Sequence, residues 1–157
     1  MKNIAKMGML IALSFVGSLI KIPGTSIAFD SLPGYFAALF MSPIQGGIVG
    51  LFGHLLTAYL SGFPLSILVH SILAIEMFVI VFLFGYIKKI TNIVVAIIAG
   101  TIMNGVLATL SLVPIISMKV ATSLIIPLTI VSFANIALAS LVYKSINKKN
   151  IKGVFIR

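Results

Sequence analysis

Long apolar runs, separated by proline, glycine and clusters of charge, dominate the hydrophobic pattern of this chain. Between Lys21 and Lys88 there is no lysine or arginine. A stretch that long and that uncharged predicts a membrane protein, in which each spanning helix needs about 20 mostly apolar residues. The pattern favours an all-α, integral-membrane bundle of six helices in a single domain over residues 1–157. The predicted spans are about 4–20, 32–41, 44–60, 65–87, 93–118 and 121–143, followed by a basic tail over 144–157.

Composition supports this class and excludes others. Apolar residues make up 61% of the chain and charged residues 8%, whereas soluble proteins are about a quarter charged. A soluble enzyme, a disordered chain and a nucleic-acid-binding domain are therefore excluded, despite the net charge of +9. Because there is no cysteine, disulfides, thiolate metal sites and thiol nucleophiles are excluded as well.

The positive charges lie predominantly on one side of the predicted topology. Of the 11 lysine and arginine residues, all but Lys21 and Lys119 fall in the predicted inner segments. Lysine and arginine accumulate in cytoplasmic segments of membrane proteins. The charge distribution therefore predicts a multi-pass protein of the cell membrane with both termini in the cytoplasm. The tail could in addition bind anionic lipid headgroups.

Four ionisable groups fall within or beside the predicted spans: Asp30, His54, His70 and Glu76. Such groups are costly in a bilayer and usually face the protein interior or a watery cavity. The topology predicts that all four are reachable from the outer half of the membrane. Glu76 is the strongest candidate for ligand binding, since a lone carboxylate at that depth needs a partner. In the alternative interpretation, Asp30 serves to cap the second helix and the histidines bond backbone carbonyls, without any contact to a ligand. His54 is expected to matter less, because its helix is rich in glycine and closely packed.

Two amides lie on polar faces of the last helices. Asn104 shares one face of the fifth helix with threonine and serine, and Asn135 shares one face of the sixth with Ser132. Small polar residues often only bond neighbouring helices, which is the better interpretation for the serines. Amides offer more hydrogen-bonding sites and are better ligand candidates. The predicted substrate-binding residues are Asp30, His70, Glu76, Asn104 and Asn135.

No catalytic motif is found in the sequence. A His-Glu-x-x-His pair, a Gly-x-Ser-x-Gly elbow and a phosphate-binding loop are all missing. The sequence therefore predicts a protein that is not an enzyme and has no metal or cofactor. Any ATP that drives it must be hydrolysed by another subunit.

The first helix carries small residues at a spacing of four. Gly8 and Ala12 form one such pair, and Ser14 and Ser18 form another. In lipid, small residues at this spacing let a second helix approach closely. The pairs could serve a partner protein or packing inside the bundle.

Together these features resemble the substrate-binding S components of energy-coupling factor (ECF) transporters. The specific part is the run Phe29–Leu39, followed by Gly46-Gly47, the stretch Gly50–Ala58 and the turn Ser61–Pro64. These motifs are similar to those of members that take up alpha-ribazole, a precursor of the cobalamin lower ligand. The resemblance covers the whole chain in layout and about residues 4–80 in motif.

The resemblance implies a membrane receptor that binds a vitamin-like molecule outside the cell. It would then dock on a transmembrane coupling subunit and two ABC-type ATPases, and topple within the lipid bilayer to deliver its ligand. In this family an Ala-x-x-x-Ala motif on the first helix meets the coupling subunit. The matching positions here are Gly8 and Ala12, a departure in one residue that keeps the surface small.

The sequence is also compatible with other ligands and other functions. The ligand could be pantothenate or a pyrimidine precursor of thiamin, since S components share a fold while their ligands differ. A proton-coupled homodimeric carrier, with Glu76 and a histidine as its relay, belongs to a different class. An integral-membrane enzyme or assembly factor is disfavoured by the missing catalytic set.

Overall fold

The described part of the chain folds into six helices joined by short segments. The structure, a computed structural model, describes residues 2–154 and the side chains of residues 3–147, so the far end of the predicted basic tail lies outside the described residues. One isolated antiparallel bridge joins Lys21 to Ala28. The helices are α1 (Lys2–Ser18), α2 (Leu32–Phe40), α3 (Pro43–Leu60), α4 (Ile67–Ile90), α5 (Ile93–Ser111) and α6 (Met118–Val154).

Three of the helices begin at a side chain that caps their first turn. The hydroxyl of Ser42 accepts a hydrogen bond from the backbone of α3, and the hydroxyl of Ser66 does the same for α4. Asn92 accepts from two backbone N–H groups of α5, at 2.9 and 3.0 Å. These bonds satisfy donors that a helix start otherwise leaves unpaired.

Helix α5 ends at Ser111, whereas the sequence predicted a helix that continues to residue 118. Pro114 explains the difference, because proline has no N–H and disfavours helical backbone at the residue before it. Residues 112–117 form a turn instead, in which the N–H groups of Ile115 and Ile116 both donate to the carbonyl of Leu112, at 2.8 Å.

Helix α2 lies in the middle of the bundle, in contact with α1, α3, α4 and α6. Its Tyr35 is fully buried and packs edge-on against Phe84 of α4, with ring centroids 5.1 Å apart. The helix has nine residues and therefore rises only about 13 Å, less than half of the roughly 30 Å hydrocarbon core. The sequence predicted this element as a span of its own, and that stays a prediction.

Glycines of α3 allow its neighbours to approach closely. A Cβ atom on Gly46 would lie 2.6 Å from the Cα of Ala38 in α2, and one on Gly47 would lie 2.8 Å from the carbonyl oxygen of Phe78 in α4. Side chains at these positions would push the helices apart, so α3 is the element on which α2 and α4 pack.

The outer surface of the bundle is apolar. Helices α4, α5 and the part of α6 over Met118–Asn147 are long and apolar enough to cross a membrane, and α1 is a shorter apolar helix. Large side chains such as Ile75, Ile126 and Ile130 are more than 60% exposed. Helices that are apolar on their outward faces are typical of proteins in lipid.

The two ends of the bundle differ in charge. At one end, which we call the lysine-rich end, the ammonium of Lys6 lies 5.9 Å from the ring of Phe40, and that of Lys88 lies 5.3 Å from the ring of Tyr143. The opposite end, which we call the loop end, carries the connecting segments 19–31, 61–66 and 112–117.

Candidate functional site

A cavity of about 230 Å³ lies at the loop end of the bundle. The segment 24–31 forms one wall, and α3, α4, α5 and α6 supply the others. Most of its surface is apolar, from side chains such as Leu73, Met77 and Leu128. The polar residues that line it are Thr25, Ser26, Asp30, Ser31, His54, Asn104, Thr109, Ser132 and Asn135.

The segment 19–31 folds back into the bundle to make that wall. Its two arms are paired, since the N–H of Ile22 donates to Ile27 at 3.0 Å and the N–H of Phe29 donates to Ile20 at 3.1 Å. Gly24 turns the chain between the arms with a φ of +76°, a conformation that glycine adopts without strain. The second arm, which includes the buried Ala28, then descends between the helices.

Asn135 of α6 fastens this segment to the bundle. Its Nδ2 donates to the carbonyl of Ala28 at 3.0 Å and to Val131 of its own helix at 2.9 Å. Its Oδ1 accepts from the N–H of Leu32 at 2.9 Å, at the start of α2. A single amide therefore holds both the end of the segment and the first residue of α2. These bonds use three of the amide's hydrogen-bonding sites, so Asn135 serves first to position the wall of the cavity.

Asp30 stands where the segment meets α2, and only 6% of its surface is exposed. Its carboxyl group lies near the side chain of Thr57 and the backbone of Ser31. As a carboxylate this group only accepts hydrogen bonds, and as an acid it also donates one.

Asn104 projects from a distorted turn of α5. Residues Met103–Leu107 form a π-helical turn, a feature that is frequent at functional sites. At Gly105 a Cβ would lie 2.6 Å from the Cα of Thr129, so the missing side chain lets α5 approach α6. The Nδ2 of Asn104 donates to the hydroxyl of Ser132 at 2.9 Å. Its second amide hydrogen and its Oδ1 can bond either the nearby hydroxyl of Tyr35 or a ligand in the cavity, which Asn104 lines.

His54 and His70 form a pair beside the cavity. The Nε2 of His54 lies 3.2 Å from the Nδ1 of His70, so one of these nitrogens carries the shared proton and the other accepts it. His54 lines the cavity, although the sequence analysis expected it to matter less. His70 is fully buried behind it, and its Nε2 has no partner within the described part of the chain.

Glu76 lies on a different face of α4 from His70, against α5. Its Oε1 is 2.6 Å from the hydroxyl of Ser111, and its Oε2 is buried without a partner among the described side chains. Neither Glu76 nor His70 is among the residues that line the cavity. A ligand contact by either residue gains no support from this geometry and stays a prediction.

Three of the five predicted binding residues thus meet at one cavity, namely Asp30, Asn104 and Asn135. Sequence analysis missed the part of His54 in this lining and the π-helical turn that carries Asn104. The only local signal for the turn is the glycine next to Asn104, which is too common to predict it. Among the residues that the structure describes, no group of three or more histidine, cysteine or acidic side chains could hold a metal ion.

Comparison with known proteins decides the family. The family model described as the substrate-specific component of ECF transporters matches residues 2–147. The chain belongs to this family. S components are transporter subunits in membranes that bind small substrates and work with a transmembrane coupling subunit and ATPases. No curated protein and no solved structure matches the chain.

Helix α1 of this S component has one face in the bundle and one face outside. Ser14 and Ser18 are buried, and a Cβ on Gly53 of α3 would lie 2.8 Å from the hydroxyl of Ser14. Gly8 and Ala12 are exposed, and a Cβ on Gly8 would meet no atom within 4 Å. The serine pair therefore serves internal packing, whereas the Gly8–Ala12 pair is free for another helix.

Proposed function

We propose that this S component captures a vitamin or vitamin precursor outside a bacterial cell and delivers it through a shared ATP-driven coupling module. The observation that carries the proposal is the cavity at the loop end, where Asp30, His54 and Asn104 offer polar groups inside a mostly apolar wall. Ligand sites are typically apolar cavities with a few convergent polar groups.

The proposed orientation follows from charge. The lysine-rich end faces the cytoplasm, because lysine and arginine accumulate on that side of membrane proteins. Both termini are then cytoplasmic, and the loop end with its cavity faces outward. A ligand would enter from outside past the segment 19–31.

Alpha-ribazole is the first candidate ligand, on the similarity of residues 29–64 to members that take it up. The volume of the cavity favours a second candidate of smaller size. At about 230 Å³ it lies below the roughly 300–1,000 Å³ of most sites for drug-sized ligands. A hydroxymethylpyrimidine precursor of thiamin would fill such a space with a single ring. Pantothenate remains a third candidate.

The Gly8–Ala12 pair is the proposed contact with the coupling subunit. It is exposed, it lies near the lysine-rich end of α1, and added volume there meets no atom of the bundle. Small residues at this spacing let two helices pack closely in lipid.

The alternative of a proton-coupled homodimeric carrier depends on a relay between Glu76 and a histidine. In the described residues Glu76 bonds Ser111, and the histidines bond each other. This arrangement favours the binding subunit over the carrier.

The test is purification of the protein in detergent, followed by mass spectrometry of any small molecule that it retains. Calorimetric titration with alpha-ribazole, hydroxymethylpyrimidine and pantothenate then ranks the candidates. Uptake of the bound ligand should require the coupling module and ATP. Uptake by the chain alone, driven by a proton gradient, would instead establish the carrier.

A further inference from the structure

The charges around the cavity are unbalanced. No lysine or arginine is among its lining residues, and Asp30 is the only acidic residue there. Two lysines at the loop end lie outside this lining. Lys21 donates from Nζ to the hydroxyl of Ser61 at 2.9 Å, and Lys119 is exposed on the first turn of α6. A ligand inside this cavity would meet no positive side chain of the described chain.

We infer that the cavity binds uncharged or cationic ligands and rejects those with a carboxylate or phosphate, and that Asp30 determines this selectivity. The inference rests on the proposed function and narrows its substrate class. An anion that leaves water for a mostly apolar cavity needs a cation or several donors to replace its hydration. Here the cation is missing, and a second acidic group would be its neighbour.

The backbone feature that could bind an anion is partly in use. The start of a helix carries partial positive charge and unpaired N–H groups, which favour an anion. Helix α2 starts at Leu32 beside the cavity, but its first N–H donates to Asn135. Asp30 precedes that start by two residues, and its carboxyl group lies near the backbone of Ser31. The protein's own acid therefore takes the place of an anionic ligand.

The prediction separates the candidate ligands. Unphosphorylated alpha-ribazole and hydroxymethylpyrimidine fit the inferred class, whereas their phosphate monoesters and pantothenate do not.

Titrations at pH 8, where a phosphate monoester is fully ionised, test the inference with two probe pairs. These are alpha-ribazole and hydroxymethylpyrimidine, each against its own phosphate monoester. In the unmodified protein the neutral member should bind at least about 100-fold more tightly, which corresponds to about 2.8 kcal/mol. The substitution Asp30→Asn removes the charge at constant size and should reduce this ratio by about tenfold or more.

The chain supplies a matched control, because Glu76 is its only other acidic residue. Glu76→Gln removes the same charge away from the cavity lining and should leave the ratio unchanged. Should Asp30→Asn fail to fold, the ratio in the unmodified protein and the charge of the co-purified molecule decide the question.

The outcomes distinguish the inference from the proposed function. A phosphate probe that binds within tenfold of its neutral partner, or an anionic co-purified molecule, would overturn the selectivity while leaving a binding subunit. If no probe binds and the purified protein releases no small molecule, the proposed function fails and the inference fails with it.

Discussion

Replacing Asn135 with alanine should release the segment 19–31 from the bundle. The substitution removes the partners of two backbone groups, the carbonyl of Ala28 and the N–H of Leu32. A buried polar group without a partner costs about 1–3 kcal/mol, so the closed arrangement loses about 2–6 kcal/mol relative to an open one. The carbonyl of Val131, also bonded by Asn135, lies within α6 and is not counted.

A cysteine introduced into the segment measures this opening without any ligand. The chain has no native cysteine, and Ile27 is 8% exposed, so the thiol of Ile27→Cys should react slowly with a maleimide. In the double variant Ile27→Cys/Asn135→Ala, the labelling rate should be roughly 30-fold higher than in Ile27→Cys alone. This factor follows from the lower limit of about 2 kcal/mol, since 1.4 kcal/mol is a factor of ten. Asn135→Asp keeps an acceptor for the N–H of Leu32 and should give an intermediate rate.

The matched control is Asn92→Ala, which also replaces a hydrogen-bonded asparagine. Asn92 caps α5, at the opposite end of that helix from residues 108–111, and its loss should cost about 0.5–2 kcal/mol of stability. Labelling of Ile27→Cys should then stay at its original rate. Equal labelling in the Asn135→Ala and Asn92→Ala backgrounds would refute the conclusion that Asn135 holds the wall of the cavity.

Three further predictions concern docking, binding and topology. Gly8→Trp should preserve ligand binding by the isolated protein but abolish ATP-dependent uptake, because the added ring meets only a partner helix. Loss of both ligand binding and uptake would instead place Gly8 in internal packing. Asn104→Ala should raise the dissociation constant about tenfold or more in calorimetric titration, and Glu76→Gln should raise it less, since Glu76 does not line the cavity. An equal loss in the two variants would bring Glu76 into contact with the ligand. Finally, the single cysteine of Ser117→Cys should be labelled by an impermeant reagent in intact cells, whereas that of Thr91→Cys should require permeabilisation; the reverse pattern would invert the topology.

The pattern of the sequence was sufficient for the order and approximate extent of the helices, but not for the end of α5. Apolar runs and the serine, asparagine and proline residues between them indicate where helices begin, because capping and proline geometry act within a few residues. The difference between the predicted end of α5 at residue 118 and the observed end at Ser111 has such a local cause, since Pro114 lies within a few residues of it. The concentration of lysine at one end is likewise visible in the sequence.

Which polar residues meet was decided only by tertiary structure. Helical periodicity places Asn104 or Glu76 on a face of its own helix, but it does not determine the neighbour toward which that face turns. In this fold the face of Glu76 turns to Ser111 and that of His70 to His54, while the π-helical turn sets the direction of Asn104.

The role of Asn135 depends on contacts that are still more distant along the chain. Its partners Ala28 and Leu32 are 107 and 103 residues away. They reach it because the segment 24–31 folds back against α6 before α2 begins. The sequence therefore determined a membrane bundle with a polar loop end, and the packing of its glycine-lined helices decided which side chains form the cavity.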